Sequence, residues 1–118
     1  MATAAGDRLR PLLVLVATTG LRRGEALGLR WSDLDLDGGS VRVARNLLRT
    51  SAGLHLDSEP KTARGRRTVP LAPATVNVLR KHRVRQLEER MQAPVWRETG
   101  LVFVTEVGGA LEPRNVSR

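Results

Sequence analysis

The sequence predicts an α+β fold, mainly helical and built on a small three-stranded antiparallel sheet. Three observations carry that reading: an apolar helical stretch near the start, three short strand-like segments in the middle, and a long amphipathic segment behind them. With 118 residues the chain has room for one domain over one modest core.

Taken in order, Pro11 opens an apolar stretch from Leu12 to Ala17 that reads as a buried helix behind the charged Asp7 to Arg10. Thr18-Thr19-Gly20 interrupts it. A second short helix follows over about Arg22 to Arg30, with Leu21, Ala26, Leu27 and Leu29 on its apolar side. Trp31-Ser32-Asp33 ends that helix, and Asp35 to Gly39 is turn chemistry. Ser40 to Arg45 alternates at period two, which gives a strand with Val41 and Val43 facing inward. Leu54 to Asp57 and Arg67 to Leu71 read as two more strands. With about Asn46 to Gly53 and Ser58 to Arg66 as connections, the three form an antiparallel meander.

A long helix then runs from Leu71-Ala72-Pro73 to about Met91. Val76, Leu79, Leu87 and Met91 mark its buried stripe, and Arg80, Lys81, Arg83 and Arg85 its basic face. Leu101 to Val104 is a short strand or extended segment, and Gly108-Gly109 makes a turn. Pro113 suits the first turn of a helix that barely begins.

Composition excludes several classes of protein. There is no Cys, so neither disulfides nor a thiolate metal site stabilises the chain. No apolar run approaches the roughly 18 residues of a membrane span, and Met1 to Asp7 lacks the pattern of a signal peptide. A cytoplasmic protein without membrane contact is the expectation. The net charge is +8, and its placement says more than its size. From Lys61 to Arg85 there are eight Lys or Arg and no Asp or Glu, while the rest of the chain balances. A one-signed segment suits a polyanion, because neutralising phosphates releases their counterions. A solvated basic face on an arginine-rich protein would have the same composition.

The most informative string is Thr19-Gly20-Leu21-Arg22-Arg23-Gly24-Glu25-Ala26-Leu27-Gly28-Leu29-Arg30-Trp31-Ser32-Asp33-Leu34-Asp35. Arg22 stands at the mouth of a short helix, just past a glycine that lets the backbone turn. Glu25 follows on the same helical face. An arginine backed by a carboxylate presents a fixed fork to two phosphate oxygens. By itself the pair also describes an ordinary surface ion pair.

The whole string resembles the first conserved box of the tyrosine recombinases, the phage-integrase family: T-G-L-R-x-x-E-x-L-x-L-x-W-x-D-[LI]-D. Further on, Glu59-Pro60-Lys61-Thr62 and Arg66 to Leu71 are similar to that family's P-K-T…R-x-[VI]-P-L hairpin. Leu101 to Phe103, Gly109 to Leu111 and Pro113 to Asn115 resemble the stretch before its second box. The likeness covers about residues 8 to 118 in the family's order. It implies a partial tyrosine-recombinase catalytic fold, with residues 1–118 as one truncated catalytic domain.

The resemblance also implies roles. Arg22 matches the first catalytic arginine, which contacts the scissile phosphate, and Glu25 the acidic residue that supports it. Lys61 matches the hairpin lysine that protonates the 5′-hydroxyl leaving group. With 18 Arg and only two Lys in the chain, a lysine at this point suits a proton donor, which a guanidinium cannot be. Arg64, Arg66, Arg67, Arg80, Lys81, Arg83 and Arg85 are the expected phosphate contacts on double-stranded DNA. No metal or small-molecule cofactor is implied, and intact members of the family form tetramers on DNA.

The family's second box, H-x-L-R-H, and its tyrosine nucleophile are absent, and the chain has no Tyr at all. His82-Arg83-Val84-Arg85 matches H-x-x-R literally, but it precedes the Leu101 to Val104 segment, which the second box should follow. His55, in a strand, reads as structural. The chain is therefore expected to contact DNA without cleaving it, as a fragment of a site-specific recombinase. A non-catalytic DNA-binding module derived from an integrase and an inactive remnant are the alternatives.

Overall fold

The computed structural model describes residues 4–50, 53–57, 67–105 and 108–111. The first helix, α1 (Ala4–Thr19), runs straight through Pro11 instead of opening there. An internal proline removes one helical hydrogen bond and costs about 3 kcal/mol. Here Pro11 is itself buried, and Leu12 and Leu15 beside it lie in the core, so tertiary packing offsets the loss. The helix ends as its hydroxyls turn back on it. Thr18 Oγ1 donates to the Val14 carbonyl at 2.8 Å and Thr19 Oγ1 to that of Leu15 at 2.6 Å. Gly20 follows at φ 75°, its N–H closing on the Val16 carbonyl.

The second helix, α2 (Arg23–Leu27), is shorter than expected and gives way to a 3-10 turn at Trp31–Asp33. Among the described residues five strands follow: β1 (Leu34–Asp35), β2 (Ser40–Val43), β3 (Asn46–Thr50), β4 (Gly53–Asp57) and β5 (Arg67–Pro70). The three-stranded antiparallel sheet is there, but its membership differs from the meander expected. Its order is β1-β2-β5, with Leu34 and Val69 both opposite Val41. Leu54–Asp57 does not join it. It pairs instead with Asn46–Thr50, read above as a connection, in a separate hairpin from Asn46↔Asp57 to Thr50↔Gly53. Pairing two neighbouring segments closes the shorter loop and so loses less chain entropy. The place of Leu54–Asp57 beside β2 goes to β5, and β1 is added on the other side of β2 by a turn in which the Asp35 carboxylate accepts the Gly38 N–H at 2.9 Å.

The third helix, α3 (Pro73–Gln92), packs on α1, where the Thr18 and Thr75 hydroxyls meet at 2.9 Å. Its buried residues are Thr75, Leu79 and His82; of the stripe expected from the apolar period, Leu79 is buried and Val76 packs on the core, but Leu87 and Met91 do not turn inward. Leu87 is 48% exposed and Met91 87% exposed. Polar demand decides the inward side. His82 Nε2–H donates to the Val102 carbonyl at 2.6 Å, and Gln86 accepts the Trp31 indole N–H at 2.8 Å. Residues 101–104 form isolated bridges, Arg30↔Leu101 and Val104↔Ala110, rather than a strand. The core gathers Leu12 and Leu15 of α1, Leu27 and Leu29, Val41 and Val43, Leu79, and Phe103. Among the described residues no helix is long and apolar enough to cross a membrane.

Candidate functional site

The site grows from the junction between α1 and α2. Thr19 Oγ1 accepts the Leu21 N–H at 3.2 Å, and Leu21 is buried, so the turn is pinned on both sides of Gly20. The next residue, Arg22, is extended (φ −72°, ψ 153°) and caps α2, its carbonyl accepting the Ala26 N–H. Its side chain lies exposed at the helix mouth. Gly24 presses the helix onto β3: a Cβ there would fall 2.9 Å from the Leu47 carbonyl oxygen, closer than carbon can approach.

Glu25 holds this arrangement together. Its Oε1 accepts the Arg22 backbone N–H at 3.0 Å, so the carboxylate reaches back to the residue that opens the helix. Arg67, at the start of β5, grips the same carboxylate with both Nη atoms, at 3.0 Å to Oε2 and 3.2 Å to Oε1. The Arg67 hydrogen bonds hold the Glu25 carboxyl below the usual carboxylate range, against the opposing effect of burial; the Arg22 N–H and the two guanidinium charges add to the lowering. The same bonds push the Arg67 guanidinium up.

One turn later the construction repeats. Asp33 Oδ2 accepts the Arg30 N–H at 3.0 Å and takes Arg45 Nη1 at 2.6 Å, with the Asp33 side chain nearly buried. Each half of the informative string therefore opens with an arginine whose N–H is held by a carboxylate. In each case an arginine from the β region secures that carboxylate.

The structure brings together Arg22, Glu25 and Arg67 of the residues expected from sequence. Glu25 supports Arg22 through its backbone, while its carboxylate faces the guanidinium of Arg67, which sequence reading had counted among the phosphate contacts. Lys61, Arg64 and Arg66 lie outside the described residues. On α3, Arg80, Lys81, Arg83 and Arg85 are all exposed. Arg80 donates to Asp37 at 2.7 Å, and Arg83 lies over the Trp31 ring at 5.0 Å. His82 is buried between Trp31 and Phe103, with ring centroids 5.8 and 5.3 Å away, so it stands on the inward side of α3 and not in its basic stripe. His55 sits on β4, opposite Leu48.

A groove of about 180 Å³ runs between α3 and residues 96–101, lined by Trp31, Arg83, Gln86 and Trp96 among others. Arg22, Glu25 and Arg67 do not line it. Among the described residues no group of His, Cys, Asp or Glu is placed to hold a metal ion. Sequence reading missed Arg45 and the Arg67 clamp. Arg67 lies 42 residues from Glu25 and Arg45 lies 12 from Asp33, beyond any helical or strand period.

Comparison with known proteins adds the family. The profile of the phage integrase family matches residues 2–117. A tyrosine recombinase XerC-like protein of Caldanaerobacter subterraneus subsp. tengcongensis is 36% identical over 123 residues, spanning 94% of this chain and 32% of that protein. An integrase of Streptomyces ambofaciens is 32% identical over 98% of this chain and 30% of its own length. Among solved structures, the Tn1549 transposon integrase in complex with circular intermediate DNA matches with a TM-score of 0.71 at 26% identity. That match covers 93% of this chain and 35% of the other. The chain thus spans about a third of the length of these relatives. Because the family profile matches nearly the whole chain and a relative is 36% identical over 94% of it, the chain belongs to the phage integrase family.

Proposed function

We propose that this chain is the amino-terminal part of a tyrosine-recombinase catalytic domain, which acts on double-stranded DNA by breaking and rejoining phosphodiester bonds. The observation that carries this reading is Arg22: an exposed guanidinium on a backbone fixed at both ends, by the Ala26 N–H on its carbonyl and by Glu25 on its N–H. In this role Arg22 grips two non-bridging oxygens of the scissile phosphate and stabilises the charge that builds on them. Preorganisation matters here, because a donor already in place needs no rearrangement as charge develops. Lys61 supplies the proton to the departing 5′-oxygen, since an ammonium can release one where a guanidinium cannot.

Arg64, Arg66, Arg80, Lys81, Arg83 and Arg85 hold flanking phosphates, which position the duplex and carry no sequence information. For Arg80 this means exchanging its exposed Asp37 partner, a pair of a kind worth only about 0.2–1 kcal/mol. No metal or small-molecule cofactor takes part in the reading. The nucleophile is not among these residues, since the chain contains no Tyr, so the chain by itself binds DNA without cutting it. Intact relatives would assemble as tetramers around such sites.

The test has two readouts on the purified chain. Duplex DNA should be bound. A suicide substrate, nicked so that cleavage traps the enzyme, should give no covalent protein–DNA band. A covalent band would show that a nucleophile other than tyrosine operates, and failure to bind any duplex would remove the functional reading altogether.

A further inference from the structure

From the Glu25 clamp we infer that Arg67 is a positioning residue for Arg22 and not itself a contact to DNA. The inference rests on the functional reading above for the role of Arg22, and on geometry for everything else. Both Nη atoms of Arg67 end on the two oxygens of Glu25, and one of those oxygens holds the Arg22 N–H. A carboxylate gripped in two places cannot swing away, so the first turn of α2 keeps its cap and Arg22 keeps its extended backbone. Without Arg67, the cap rests on a single hydrogen bond from the Arg22 N–H to a flexible side chain.

The clamp also spans the sheet. Arg67 is the first residue of β5 and pairs with Val43 of β2, so its backbone is fixed by the ladder before its side chain reaches α2. It lies six residues after Lys61 in the chain. Arg67 therefore ties the strand that leaves the lysine segment to the helix mouth that presents the arginine. The neighbouring Asp33–Arg45 pair marks this as a recurrent device of the chain: there too an arginine of the β region secures a carboxylate that caps a turn.

Among the described residues, the charges acting on Glu25 are those of Arg67, from β5, and of Arg22, at the cap of its own helix. Asn46 and Leu47, which β3 sets against Gly24, carry none. The ionisation of Glu25 therefore reports on the clamp.

The experiment uses the whole 118-residue chain, duplex DNA as the probe, and a double-mutant cycle between Arg67→Gln and Arg22→Ala. Arg67→Gln alone should weaken binding roughly tenfold, but should add little once Arg22 is already Ala, because its effect runs through that side chain. A penalty that persists in full in the Arg22→Ala background would mean that Arg67 touches phosphate directly, and would overturn the inference.

An NMR arm needs no DNA. The Arg22 amide proton should follow the protonation of Glu25, with a midpoint that rises toward the ordinary carboxylate value in Arg67→Gln and moves less in Arg67→Lys. An unchanged midpoint in Arg67→Gln would also overturn the inference. If Arg67→Gln does not fold, as judged by circular dichroism, Arg67→Lys carries both arms. Should the wild-type chain fail to bind duplex at all, the functional reading falls while the amide measurement still decides the clamp.

Discussion

At the scale of the residue, Glu25 sets a pH dependence whose direction follows from its partners. Its carboxyl is held below the usual range by Arg67, so the folded state favours the ionised form. The stability this contributes is complete above the unfolded value near 4.5 and is lost as pH falls through the lower folded one. Glu25→Gln should therefore destabilise the chain by about 1–2 kcal/mol at neutral pH, since one charge-assisted pair is lost and Arg67 is partly exposed. The same substitution should matter less in acid, where the wild-type carboxyl is itself protonated. Urea unfolding at both conditions checks this, and an equal cost at each would mean that the Arg67 pairing contributes nothing. Arg22 and Glu25 were legible in the sequence because they lie three apart within one recognisable string. Arg67 was visible as part of the R-x-[VI]-P-L string and as a basic residue, but its role was not, because what defines that role is a contact across the β region.

At the scale of the element, α3 shows where a period misleads. Val76, Leu79, Leu87 and Met91 repeat convincingly, yet the helix turns His82 and Gln86 inward. The reason is that Val102 presents its carbonyl there and Trp31 its indole N–H, and such groups require partners when removed from water. Hydropathy cannot see a hydrogen-bond demand raised by another segment. The expected outcome is an inversion of the usual ranking. His82→Ala should cost about 2–4 kcal/mol through the cavity it leaves and the lost donor, whereas Met91→Gln should change stability by no more than about 0.5 kcal/mol. Thermal denaturation of both variants decides it, and a costly Met91→Gln would restore the apolar stripe that sequence reading favoured. The sheet carries the same lesson. β2 was legible from alternation and β5 as a short strand-like segment, but β3 was read as a connection, because nothing local tells a loop from a strand whose partner is the segment just ahead.

At the scale of the whole molecule, the charge is segregated along the chain, and the fold decides what that segregation can do. All eight positive charges of the Lys61 to Arg85 run stand without an acidic residue between them. The structure divides the five of them that lie among the described residues. Arg67 is spent on Glu25, Arg80 reaches Asp37, Arg83 covers Trp31, and Lys81 and Arg85 lie on the exposed side of α3. On the proposed function, two faces are candidates for the DNA: the exposed flank of α3, and the helix mouth at Arg22. Salt dependence separates them, because each phosphate neutralised on duplex DNA contributes about 0.9 to the slope of log affinity against log salt. If α3 lies along the backbone, replacing Arg80, Arg83 and Arg85 together with Ala should lower that slope by about 2–3 and weaken binding to unrelated sequences alike. If DNA sits only at the helix mouth, the triple variant should leave the slope where it was, and Arg22→Ala alone should lower it by about 1. An unchanged slope in the triple variant would confine the interface to the face built around Arg22, and the basic run would then owe its composition to solvation and to the internal pairs it makes.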